Sequence, residues 1–149
     1  MARTVVSLLA LVFTALSLIP GGAHLFSLPN KIGMTEQHYF VAQSIYSGWW
    51  MMAFILIPAM LLNILLAYLL RSERPGFVPA AAACVCMAAT LAVFFAWTYP
   101  ANVATQNWTV VPGDWQTLRR QWEYSHAAGA VLNFAAFCLI ALAIVTRRR

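Results

Sequence analysis

Three apolar runs in this chain, residues 45–70, 77–99 and 127–146, approach or exceed the ~20 residues an α-helix needs to cross a bilayer. That length leaves few folds open. Lipid offers the backbone no hydrogen-bond partner, so such segments cross as helices or as strands of a closed barrel. The runs are continuous rather than alternating, which selects helices. A fourth run, residues 5–19, covers only ~22 Å as a helix, short of the ~30 Å core. Continued through Leu25 it spans, with Pro20-Gly21-Gly22 either a break that lines a cavity or a proline kink whose glycines allow close helix approach. Read instead as a signal peptide, it places Gly21 and Ala23 before a cleavage point and leaves His24 as a free N-terminus, a conceivable copper ligand. The retained-helix reading gives a single all-α membrane domain, a four-helix bundle with spans at about 5–26, 42–70, 77–99 and 124–146.

Charge gives the orientation. Of 149 residues 62% are hydrophobic and only 9% charged, so each ionisable group carries information. With both termini cytoplasmic, Arg3, Arg71, Arg74 and Arg147, Arg148 and Arg149 lie inside, against Lys31, Arg119 and Arg120 outside. Six against three satisfies the positive-inside rule. The net charge of +5 is then mostly topology, and with no basic patch beyond these flanks a nucleic-acid partner is not expected. The same placement gathers His24, His38, His126, Glu36, Asp114 and Glu123 on the outer side. Only Glu73 is left inside.

The outer end is therefore where chemistry is expected. Asp114, after Pro112-Gly113, is a plausible N-cap for a helix running to Thr146. On it Glu123 and His126, three apart, share a face, and Arg119, His126 and Asn133 recur every seven residues beside Gly129 and Ala130. A polar stripe among small residues should face protein. The segment Ser27-Leu28-Pro29-Asn30-Lys31-Ile32-Gly33-Met34 reads as a short loop, and Thr35 as the cap of a helix long enough to reach Leu70, kinked at Pro58. On that helix Glu36, Gln43, Tyr46 and Trp50 form one stripe and His38 points away to solvent or headgroups, while Trp49 and Trp50 also suit an interfacial belt. Asn63, deeper, is a candidate for an interhelical hydrogen bond. Cys84, Cys86 and Cys138 have no metal or redox spacing and read as small packing residues.

Several chemistries stay open. His24, Glu123 and His126 could form an open three-ligand metal set, His24 and His126 could hold haem, or the same residues could serve a metal-free pocket for an apolar or aromatic molecule. In that last reading His126, Glu123 and His24 are catalytic, with Glu123 setting the tautomer of His126. Gln43, Tyr46, Trp97, Asn102, Trp108 and Arg119 line the pocket, the Trp97-to-Trp108 segment serving as its roof. The structural alternative pairs Glu123 with Arg119 or Arg120 one turn back. A non-enzymatic membrane subunit, binding a membrane partner or a second copy of itself, competes with all of these.

The Trp115-Gln116-Thr117-Leu118-Arg119 run followed by Trp122 and His126, the proline-asparagine segment after the third span, Leu28-Pro29-Asn30-Lys31 and Gln43-Ser44-Ile45-Tyr46 together resemble the anthrone-oxygenase-like family. These are small, mostly bacterial membrane proteins. The resemblance implies a four-helix membrane fold in the plasma membrane, the inner membrane of a bacterium. From its fungal namesakes it implies oxidation of polycyclic anthrones by dioxygen without a known metal or flavin. Orientation is directly testable: cysteines introduced near residues 31 and 105 should react with an impermeant maleimide added from outside, and Ser72→Cys should not. The reverse pattern would invert the assignment.

Overall fold

The computed structural model describes residues 1–146, and every regular element in them is helical. The expected Arg147, Arg148 and Arg149 anchor lies outside the described residues. The elements are α1 (Ala2–Lys31), α2 (Glu36–Gln43), α3 (Ala53–Leu70), α4 (Arg74–Val93), α5 (Tyr99–Ala104) and α6 (Trp115–Thr146). Four stretches are long and apolar enough to cross a membrane: Ala2–Lys31, Trp49–Leu70, Arg74–Ala104 and Trp115–Thr146. Their outward faces carry exposed Leu8, Phe54, Val85 and Phe134, a surface suited to lipid rather than water.

Packing follows chain order. α3 lies against α1 and α4, while α6 closes the ring against α4 and α1, giving an up-down-up-down bundle. One end holds the start of α1, the α3–α4 turn and the end of α6. There the Arg3 guanidinium pairs with Glu73 and donates to the Leu69 carbonyl at 2.8 Å, and Thr146 donates to the Pro75 carbonyl at 3.0 Å. We call this the terminal end and the opposite one the polar end.

The core of the terminal half is built of small side chains. Ala10, Ala59, Ala80, Ala83, Ala136 and Ala143 are buried beside Leu66, Leu70 and Ile140. Lipid tails are as apolar as leucine, so helices gain by close contact rather than by hydrophobicity, and alanine permits that approach. Asn63 is the polar fastener at mid-depth. Its amide donates to Thr14 Oγ1 of α1 at 3.0 Å and reaches the Met87 sulfur of α4 at 2.8 Å, meeting the interhelical bond expected of it.

Three local features differ from the sequence reading. α1 runs unbroken through Pro20-Gly21-Gly22 and through Pro29, so the expected loop at 27–34 shrinks to residues after Lys31. The helix from Thr35 does not reach Leu70. Gly48 adopts φ 81°, a left-handed conformation that ends the run, and short 3-10 turns at Ser44–Tyr46 and Trp49–Met52 carry the chain into α3. The stripe read along one long helix is consequently split: Gln43 is buried, while Glu36 is exposed and Trp50 is 72% exposed. Third, α4 widens into a π turn at Phe94–Thr98, where the Tyr99 N–H bonds the Phe94 carbonyl five residues back. Pro100 follows and has no N–H to continue the regular ladder.

α1 and α6 approach closely at Gly21. A Cβ on Gly21 would sit 3.2 Å from both Cα and Cβ of Ala130. Gly129, by contrast, would meet only the Thr90 methyl at an ordinary 3.4 Å. Gly21→Leu should therefore force α1 from α6 and destabilise by about 1–3 kcal/mol, read as a lower unfolding midpoint in detergent. Gly33→Ala, with nothing within 4 Å of its Cβ, should leave the midpoint unchanged.

Candidate functional site

Because α1 stays helical to its last turn, Lys31 is carried into the bundle and is only 3% exposed. Its ammonium lies 2.9 Å from Glu123 Oε1 of α6 and donates to the Tyr46 hydroxyl at 3.0 Å. It also sits over the Tyr46 and Trp122 rings, 4.8 and 5.0 Å from their centroids. The same carboxylate oxygen accepts from the Tyr39 hydroxyl at 3.0 Å, and Tyr39 accepts from the Gln43 amide one turn on at 2.7 Å. Burial, and then the Glu123 carboxylate, push the Tyr39 phenol well above its usual range, so it remains a proton donor. A cation, an acid, a phenol and an amide thus form one buried chain across α1, α6 and α2.

Beside it, His24 and His126 stack face to face, ring centroids 4.0 Å apart and planes 24° from parallel. Tyr46, Trp49 and Trp122 wall His24 at 4.4, 5.5 and 4.9 Å, and Trp122 stands 4.2 Å from His126. Neither imidazole has a hydrogen-bond partner for its nitrogens among the described residues, and His24 Nδ1 is fully buried. The two histidines converge as the sequence led one to expect; the company they keep differs.

The roof is partly as anticipated. Trp108 packs on Tyr39 at 5.1 Å and on Trp122 at 5.7 Å, and Asn102 accepts from the Trp122 indole at 2.8 Å. Gln106, Asn107 and Trp108 hold consecutive φ values of 48°, 57° and 65°. Three non-glycine residues in the left-handed region are costly, roughly 1–3 kcal/mol each, so the packing of Trp108 must hold the turn in place. Trp97 takes no part in this roof; it is 52% exposed and lines a groove on the other side of α6. Arg119 is buried, donating to the Met34 carbonyl at 2.6 Å with its guanidinium 4.7 Å from the Trp115 ring.

Two expectations are corrected. Among the described residues no group of three His, Cys, Asp or Glu side chains is placed to hold a metal, so the His24, Glu123 and His126 set is not formed. The reason is Lys31: Glu123 Oε1 turns to the ammonium and to Tyr39, not to His126 or an arginine. It cannot then set the His126 tautomer. Nor does a stacked pair in ring contact leave a slot for a porphyrin with an imidazole on each face.

Sequence reasoning missed Lys31, Tyr39 and Trp49. The Tyr39–Gln43 spacing of four was available as a signal. The Lys31 contact was not, because it depends on α1 continuing past Pro29.

One further feature marks this end. Seven buried side-chain polar atoms lack a partner among the described residues, and five of them belong here: His24 Nδ1, Gln43 Oε1, Trp108 Nε1, Arg119 Nε and Glu123 Oε2. Orphaned buried groups are expensive, and such a gathering is unusual in a core that only packs. The ion pair can be tested directly. Lys31→Met leaves a buried carboxylate without its cation and should cost about 3–5 kcal/mol. The double variant Lys31→Met with Glu123→Leu should recover much of that loss; a double loss equal to the sum of the two single losses would mean the pair is not coupled.

In comparisons with known proteins, no protein-family model, no curated protein and no solved structure matches this chain. The site is read from its own chemistry.

Proposed function

We propose that this membrane protein binds an apolar, aromatic molecule bearing a hydrogen-bonding oxygen at the polar end, and oxidises it. The observation that supports this is the convergence of five unpartnered buried polar atoms with two imidazoles and an aromatic wall at one depth. A flat aromatic guest suits walls made of Tyr46, Trp49 and Trp122. Its oxygen has donors in Arg119 and Trp108 and acceptors in Gln43 and Glu123. Entry requires the Trp108 turn to lift and the stacked imidazoles to part, and the left-handed backbone at 106–108 lowers the cost of lifting.

The anthrone-oxygenase-like resemblance supplies the reaction class. A ring methylene beside an aromatic ketone loses a proton to His126, and the electron pair moves to the oxygen, giving a phenolate-like anion. Lys31, held by Glu123 and Tyr46, and the buried Arg119 guanidinium are the positive charges against which that anion is stabilised. Dioxygen then oxidises the carbon: one of its atoms becomes the new carbonyl and the other leaves as water with the two hydrogens, a four-electron exchange in balance. We place the protein in a plasma membrane with this end outward, from the basic-residue asymmetry.

A second reading has one observation in its favour. The His24 and His126 rings touch, so the cluster could serve only to lock the bundle of a non-enzymatic membrane subunit, alone or with a partner copy. One experiment separates the two. Detergent-purified protein given an anthrone in aerated buffer should consume oxygen and form the quinone, and His126→Ala should lower the rate at least ~100-fold with the unfolding midpoint kept. Absence of turnover and of any ligand-induced midpoint shift would reject the oxidase reading in favour of the locking role, and turnover undiminished in His126→Ala would remove His126 as the base.

A further inference from the structure

On the face of α6 turned away from the histidines, a groove of about 690 Å³ runs between α6 and the π turn that continues α4. Trp97 and Tyr124 form its walls, both more than half exposed, and Val93 and Ala128 lie along it. Arg120 is the one lining group of Lys, Arg, Asp, Glu or His type among the described residues, and it is exposed. We propose that this groove is a binding site for an anionic phospholipid, the headgroup phosphate on Arg120 and an acyl chain laid between Trp97 and Tyr124 toward Ala128.

Charge complementarity carries the choice. Of the basic side chains at this end, Lys31 is paired with Glu123 and Arg119 is buried against Met34 and Trp115. Arg120 has neither an ion pair nor a side-chain hydrogen bond among the described residues. An unpaired guanidinium on a membrane-spanning helix seeks phosphate, and its planar fork matches phosphate oxygens two at a time. Geometry agrees with a lipid rather than a free anion. From Arg120 to Ala128 the helix advances about 12 Å, so the groove continues from the cation into the apolar zone by roughly the depth of a glycerol backbone and the first part of a chain.

The π turn explains why a groove exists there. Its wider coil sets Trp97 out from the helix, and the Trp97 carbonyl accepts from the Gln121 amide at 2.7 Å. Thr98 and Ser125 hydroxyls bond at 2.7 Å beneath it, fixing the floor between the two helices. Such turns recur at binding sites because they displace side chains without ending the helix.

The test is lipid retention by native mass spectrometry, with protein from detergent exchanged into nanodiscs of phosphatidylglycerol or of phosphatidylcholine and released. Wild type should retain phosphatidylglycerol at least tenfold over phosphatidylcholine, and Arg120→Gln should reduce that preference to near one. Trp97→Ala with Tyr124→Ala should lower retention of both lipids while the unfolding midpoint stays within a few degrees. Equal retention of the two lipids by wild type, or an undiminished preference in Arg120→Gln, would overturn the assignment. Retention of a co-purifying protein at this face in place of lipid would overturn it as well.

Discussion

The Lys31–Glu123 pair is the constraint around which the polar end is arranged. Each charge alone would be expensive at the depth and burial it has, and either one unpaired would destabilise the bundle. Paired at 2.9 Å, and with Tyr39 and Tyr46 hydroxyls completing the bonds, they tie α1, α6, α2 and the turn after it to one point. The pair requires α1 and α6 to lie close, and Gly21 against Ala130 supplies that approach about three turns away. A small-residue contact in the apolar zone and an ion pair at its edge are thus parts of one interface.

That interface also explains the state of the histidines. With its Oε1 engaged by the ammonium and the phenol, Glu123 leaves His126 without a carboxylate to orient it, and the imidazole instead stacks on His24. Two rings in face-to-face contact cover each other's faces, and Tyr46 and Trp122 pack against them. Both imidazoles keep ring nitrogens without a hydrogen-bond partner among the described residues, which places them to meet a polar group of a guest. The same closeness is what a purely structural lock would need.

Much of the architecture was legible from residue order because lipid imposes simple rules. Run length located four helices, and the seven-residue recurrence of Arg119, His126 and Asn133 marked the inward face of α6, where Arg119 and Asn133 are indeed buried. Asn63 stood out because a lone amide at mid-depth has to find a partner. What was not legible turned on local backbone choices that depend on distant contacts. Pro29-Asn30 reads as a turn from local propensity, yet the helix continues to place Lys31 against a residue 92 positions away. Gly48 works the other way: a single left-handed residue breaks a helix whose apolar pattern runs on unchanged, and so splits the stripe from Glu36 to Trp50. At Pro29 propensity gave the wrong answer because tertiary pairing outweighs the ~1 kcal/mol scale on which propensities differ, whereas at Gly48 the apolar pattern masked a break that glycine itself favours.

α6 finally presents two different faces. Trp122, Glu123 and His126 point to the protein interior, while Arg120, Gln121 and Tyr124 look to the groove beside the π turn. Adjacent residues on a helix differ by about 100°, so consecutive positions serve opposite faces without sharing a side chain. The buried face tolerates little, since Glu123 is held by Lys31 and Tyr39 and the rings of Trp122 and His126 are in contact. The groove face is exposed and built around one free cation among the described residues, and its substitution leaves the Lys31–Glu123 pair untouched. Effects on the histidine cluster and on the groove should therefore be additive, as expected for groups that share no partner. A strong coupling between Arg120 and His126 substitutions would mean that α6 turns or shifts as a unit, and would make the outer groove part of the inner site.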